Sequence, residues 1–173
     1  KTGDVVKYGT YQQSVSGEAQ PIEWQVIYTD SEGNALAIAV NALDCIPYGL
    51  DDTVSWDVVN AVPYAKTWLE NDFFNIAFSS KEKSSITEIT ILDEGQVELL
   101  LQDIQCKPTE YAVSMGAYVS EKNGACMWWV KNASNSGGYW FVHPEYNTVQ
   151  GGRSYHATYD NVCIRPVIKV STK

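Results

Sequence analysis

Ile22, Trp24, Val26 and Tyr28 alternate with Glu23, Gln25 and Ile27. A period of two is the signature of a half-buried β-strand and is incompatible with a helix. Ser31-Glu32-Gly33-Asn34 then turns the chain into a second apolar run, Ala35 to Val40, so the two runs predict a hairpin. Upstream, Asp4 to Tyr11 carries the β-branched and aromatic residues of a further strand, with Gly9 acceptable at an edge or a bulge.

The middle of the chain reads differently. Asp44 to Asp57 holds Pro47, Gly49 and several aspartates and predicts a loop. Pro63 suits the first turn of a helix carrying Trp68, Leu69 and Phe73, and Phe73, Phe74, Ile76 and Phe78 form the densest expected core segment. Ser79-Ser80-Lys81-Glu82 has the pattern of a helix cap before Ile86 to Leu92, an alternating strand. Asp93-Glu94 opens a helix over Val97 to Leu101, and Lys107-Pro108-Thr109-Glu110 opens another that ends near Gly116. Beyond Gly124, short strands are expected at Cys126 to Val130, Gly138 to Val142, Thr148 to Tyr155 and Val162 to Val170. Helices in the middle with strands at both ends predict one α+β domain over 1–173, its terminal strands meeting in one sheet.

Acidic residues outnumber basic ones 21 to 12, for a formal charge of -9, so nucleic acid and anionic membranes are poor partners. With no run of about 18 apolar residues and a polar start from Lys1 to Lys7, neither a membrane insertion nor a signal peptide is expected. That is consistent with numbering that begins after a removed leader. Cys45, Cys106, Cys126 and Cys163 lack the short paired spacings of zinc or redox motifs. They read either as buried small hydrophobes or as disulfides in one of three full pairings.

Several blocks occur in a recognisable order: GDVVKYGTYQQ from Gly3, PIEWQVI from Pro21, ALDCIPY from Ala42 and TWLENDFFNIAFSSKEKSSI from Thr67. CKPTEYAVSMGAY follows from Cys106, then WWV at Trp128 to Val130 and NVCIRPVI at Asn161 to Ile168. This set resembles the bacterial domain-of-unknown-function family numbered 6273, found in secreted and surface proteins of Firmicutes. The resemblance implies an extracellular location. Paired tryptophans followed by an Arg-Pro strand are similar to the closing sheet of C-type-lectin-like folds, the group that includes formylglycine-generating enzymes. Where family members carry Leu-Arg-Ser-Pro after the tryptophans, this chain has Val130-Lys131-Asn132-Ala133 and lacks that arginine.

Trp128 and Trp129 are adjacent and should point to opposite faces of a strand, both serving packing. Arg165, among apolar neighbours, needs a carboxylate or backbone carbonyls, and a structural salt bridge is expected. Trp140, His143, Tyr146, Tyr155, His156 and Tyr159 lie in turn-rich sequence and are the candidate ligand-binding residues, forming one aromatic patch for a glycan or protein ligand. On that reading, Trp140→Ala and Tyr155→Ala weaken binding and spare the melting temperature. The alternative is that these aromatics fill the core of a β-rich lobe.

No cofactor is expected. Calcium is an open option through Asp44, Asp51, Asp52 and Asp57, although the lectin calcium triplets and the EF-hand spacing are missing. No catalytic constellation is evident, so the leading expectation is a non-catalytic binding module. A formylglycine-generating type of enzyme is the alternative and requires Cys126 or Cys163 exposed in a cleft. A structural spacer domain of a larger surface protein is the other.

Overall fold

The computed structural model describes residues 1–100, 104–131, 138–146, 148–152 and 155–171. The fold is α+β: among the described residues, ten strands form two five-stranded sheets, with a few short helices between them. The first sheet has the order β1-β2-β3-β10-β5, using Val5–Gln12, Ala19–Thr29, Ala35–Ala39, Val167–Val170 and Ile86–Thr90. Its pairs are all antiparallel. The predicted hairpin is β2 and β3, and the strands from the two ends of the chain do share this sheet. Gly9 sits at a bulge, between Lys7 and Thr10, with φ +70°. A Cβ there would lie 2.6 Å from the Phe78 ring, so both conformation and space select glycine.

The second sheet has the order β4-β9-β6-β7-β8, from Asp44–Cys45, Cys163–Ile164, Trp128–Val130, Tyr139–Val142 and Val149–Gly152. It is antiparallel except where β6 runs alongside β9. The expected single strand from Val162 to Val170 is in fact two, β9 and β10, one in each sheet. Pro166 has no N–H for a ladder and ends one strand before the next begins. Asp44–Cys45, expected as loop, is a short strand because it pairs with β9.

Helix α1, Tyr64–Thr67, begins after Pro63, continues as a π-helical turn over Trp68–Phe73 and ends as α2, Phe74–Ala77. The wider turn places Trp68 and Phe73 in register, and their rings stack at 5.3 Å. Phe73 and Phe78 are buried as expected. Ile76, expected in the core, is exposed, and Phe74 is half-buried, because both fall on the outer side of the helix. Helix α3, Ser80–Lys83, has the anticipated capping box between Ser79 and Glu82. A second box, Asp93 with Gln96, starts α4, Glu94–Val97, followed by a 3-10 turn at Glu98–Leu100. The expected end of that helix, Leu101, lies outside the described residues. Helix α5, Glu110–Ser114, is capped by Thr109.

Alternate residues of both sheets feed two apolar cores. One contains Trp24, Leu69, Phe73, Trp129 and Phe141 beneath the α1–α2 stretch. The other contains Ile38, Leu92, Val97, Trp128 and Val142. Each buried side chain of this size contributes about 1.5–3 kcal/mol.

Candidate functional site

The paired tryptophans show how the second sheet is divided. Trp128 packs in one core and Trp129 in the other, both fully buried, and their indoles donate to the carbonyls of Ile104 (3.1 Å) and Ile46 (2.9 Å). The same alternation governs β7. Tyr139 and Phe141 lie on the Trp129 side, whereas Trp140 packs with Trp128 and Val142 on the other.

Five of the six candidate aromatics follow Phe141. His143, two residues on, contacts the Phe141 ring at 6.5 Å and stacks on Tyr146 at 4.4 Å with 28° between the rings. Tyr155 meets Phe141 edge to face at 4.8 Å. Next in the chain, His156 lies 5.6 Å from Tyr159. Tyr146, His156 and Tyr159 are exposed, while His143 and Tyr155 are half-buried. Trp140 does not join this patch. Its indole covers Gly151, the residue opposite it on β8, where a Cβ would collide with the ring. The expected six-residue face is not formed: period-two geometry sends Trp140 to the far side of the sheet, and the other five make ring contacts in two groups, His143, Tyr146 and Tyr155 about Phe141, and His156 with Tyr159.

Polar contacts hold the patch in place. The Glu145 backbone N–H donates to His143 Nδ1 at 3.1 Å, which orients the imidazole, and His143 N–H bonds the Thr148 carbonyl at 3.1 Å. Glu145 accepts from Lys122 Nζ (2.7 Å) and Ser120 Oγ (2.8 Å), and these bonds, Lys122 foremost, hold its carboxyl below the ordinary range. Asn123 Nδ2 donates to the Pro144 carbonyl at 2.7 Å. The turn that presents Tyr146 is thus fastened to the 120–123 segment.

In the second aromatic group, His156 with Tyr159, Asp52 Oδ2 pairs with His156 Nδ1 at 2.5 Å, and its Oδ1 accepts the Ala157 N–H at 2.7 Å. The His156 bond, more than the Ala157 bond, lowers the Asp52 carboxyl from its usual value. Among the described residues, no serine, threonine or cysteine side chain hydrogen-bonds the imidazole of either histidine. What the patch offers is flat aromatic surface next to carboxylate and imidazole groups. Glu145 and Phe141 are not singled out by the sequence, Asp52 is considered there only as a calcium ligand, and nothing in the spacing of Asp52 and His156 announces their contact.

The remaining expectations fall as follows. Arg165 is buried but makes no salt bridge among the described residues. Its Nε donates to the Ala39 carbonyl at 2.8 Å and its Nη2 to Val40 at 3.4 Å, since no carboxylate reaches the point where the chain changes sheets. Three of the four aspartates of the acidic loop are engaged, each separately. Asp44 is buried against Tyr11, Asp51 accepts from Thr53, and Asp52 holds His156. Among the described residues, no group of three or more potential ligands is placed to hold a metal ion. Cys126 and Cys163 are fully buried, so the exposed cysteine cleft is not formed. No helix among the described residues is long and apolar enough to cross a membrane. Asn132, Ala133, the 134–137 segment, Asn147, Arg153 and Ser154, in and around the aromatic loops, lie outside the described residues.

Compared with protein-family models, with curated proteins and with solved structures, the chain has no match.

Proposed function

We propose that this chain is a non-catalytic binding module of a secreted or cell-surface bacterial protein, with a carbohydrate as its ligand. The observation that carries the reading is the stacked His143–Tyr146 pair, which holds a tyrosine ring 61% exposed at the tip of an anchored turn. An exposed apolar plane has a free-energy cost unless something covers it, and the C–H face of a sugar ring fits a flat aromatic surface. Asp52 and His156 supply acceptors and a donor for hydroxyl groups near Tyr159. The ordered resemblance from Gly3 to Ile168 supports the extracellular setting and a C-type-lectin-like identity for the α+β fold.

Binding of the intact chain to a glycan array tests the reading, with Tyr146→Ala and His156→Ala as paired variants. Retention of defined glycans by the parent chain, and at least tenfold weaker retention by both variants at unchanged melting temperature, is the expected result. An array without retained glycans, or retention indifferent to both substitutions, overturns it.

A further inference from the structure

The cysteines at 45, 106, 126 and 163 are far apart in the sequence and contiguous in the fold. Cys45 and Cys163 are direct partners across the β4 and β9 strands. Cys126 donates its backbone N–H to the Cys106 carbonyl at 2.9 Å, and their sulfurs stand 3.8 Å apart. The Cys163 N–H donates to the Met127 carbonyl at 2.8 Å, which sets Cys163 beside the Cys126 end of β6, so the order in space is Cys45, Cys163, Cys126, Cys106.

We propose that this row is a modification site at which two disulfides form, Cys45 with Cys163 and Cys106 with Cys126, by exchange with a low-molecular-weight disulfide such as oxidised glutathione. Directly opposed residues of an antiparallel pair have Cα atoms about 4.5–5.5 Å apart. That lies inside the span of about 4.4–6.8 Å that a disulfide bridges, which admits Cys45 with Cys163. The middle pair is disfavoured. β6 places Trp128, not Cys126, beside Cys163 in a parallel pairing, so Cys126 stands two residues further along, about 8 Å away by strand spacing and rise and beyond the usual disulfide span.

Access selects the same pairs. The outer sulfurs belong to residues 5% (Cys45) and 6% (Cys106) exposed, whereas both inner cysteines are at 0%. All four are buried, so exchange begins with a local opening that uncovers an outer cysteine first, and its inner neighbour is the resolving thiol. In each pair the outer thiolate attacks the small disulfide, forming a mixed disulfide and releasing one small thiolate. The inner thiolate then attacks the protein sulfur of that mixed disulfide and displaces the second. One S–S bond breaks and one forms, the protein loses two electrons and the oxidant gains them, and the two thiol protons pass to the departing thiolates. Burial holds the Cys106 thiol up, and the neighbouring thiols together with burial hold Cys126 and Cys163 up as well, so exchange is slow and speeds up with rising pH.

The test incubates the folded, intact chain in a glutathione redox buffer, quenches with acid, alkylates residual thiols after denaturation and maps unreduced peptides by mass spectrometry. The expected product has lost the mass of four hydrogens and yields two linked peptides, Cys45 with Cys163 and Cys106 with Cys126. Replacing Cys106 and Cys126 together by serine should leave the Cys45–Cys163 link intact. Four alkylated cysteines, stable glutathione adducts on Cys45 or Cys106, a dominant Cys126–Cys163 link or scrambled pairings would each overturn the proposal.

Discussion

Arg165 lies with its guanidinium carbon 5.2 Å from the centre of the Trp128 indole, at the place where β9 gives way to β10. Among the described residues its Nη1 is buried without a hydrogen-bond partner, and the charge is met there by a ring face and two carbonyls and by no anion. Arg165→Ala removes the side chain that fills this space and orphans the Ala39 and Val40 carbonyls, and should cost about 2–5 kcal/mol. Arg165→Met keeps most of the volume and sheds an uncompensated buried charge, so its loss should be smaller, about 1–2 kcal/mol. Urea denaturation midpoints at constant slope measure both. Equal losses for the two variants would show that the hydrogen bonds outweigh the packing.

Tyr11 should matter in a pH-dependent way. Its hydroxyl donates to Asp44 Oδ2 at 2.6 Å and so ties the first sheet to the second. Burial raises the Asp44 carboxyl above 3.8, and the Tyr11 bond partly offsets that rise. For an acid whose folded value is raised, stability is highest below the unfolded value and is lost as pH climbs toward the folded one. Tyr11→Phe removes the offset and widens that loss. The variant should therefore be destabilised by about 1–3 kcal/mol at neutral pH and by less near pH 3, in urea titrations at the two pH values.

The aromatic residues should separate into two groups. Trp140→Ala uncovers Gly151 and leaves a hole in the second core, and Tyr155→Ala removes an edge-to-face contact with Phe141, so both should lower the melting temperature. Gly151→Ala should do the same by collision with the Trp140 ring, costing about 1–3 kcal/mol. Tyr146→Ala, on the exposed side of the His143 stack, should melt with the parent chain. Thermal melts of the four variants decide the matter, and an unstable Tyr146 variant would move that ring from binding to architecture.

Glu82 serves two elements at once. Its Oε2 accepts the Ser79 N–H at 2.8 Å within the capping box, and its Oε1 accepts the Gly9 N–H at 2.9 Å at the β1 bulge. Ser79→Ala should cost about 1 kcal/mol, the usual loss for a cap, and Glu82→Ala should cost more because Gly9 also loses its acceptor. The bonds from Ser79, and then from Gly9, hold the Glu82 carboxyl below 4.5. Stability from a depressed acid is complete above its unfolded value and fades as pH falls through the folded one. Glu82→Gln should accordingly flatten the acid side of a melting-temperature profile below about pH 4.5.

Local signals in the chain carried much of this architecture. The Ile22 to Tyr28 alternation, the Ser31 to Asn34 turn and the Ser79–Glu82 cap are each written within a few residues; the turn and the cap are present, and the alternation holds to Val26, where a bulge reverses it, burying Ile27 and exposing Tyr28. The misreadings arose where sequence neighbours are not spatial neighbours. Pro166 carried enough information to divide Val162 to Val170, but not to assign the halves to different sheets. Trp140 was grouped with His143 by proximity in the chain, although the period of two applied to Tyr139–Val142 separates them. The Asp52–His156 contact spans 104 positions and depends on loop packing that no local pattern encodes.

The segment Cys163–Val170 has a consequence for how the chain is made. It supplies β9, which stands between β4 and β6, and β10, which stands between β3 and β5. Neither sheet can close until this stretch has left the ribosome, so everything before it emerges with two vacant interior slots. Closure of both sheets is thereby deferred until this segment has been made, and a synthetic peptide of it added to the residues that precede it would act like a zip fastener for both sheets at once.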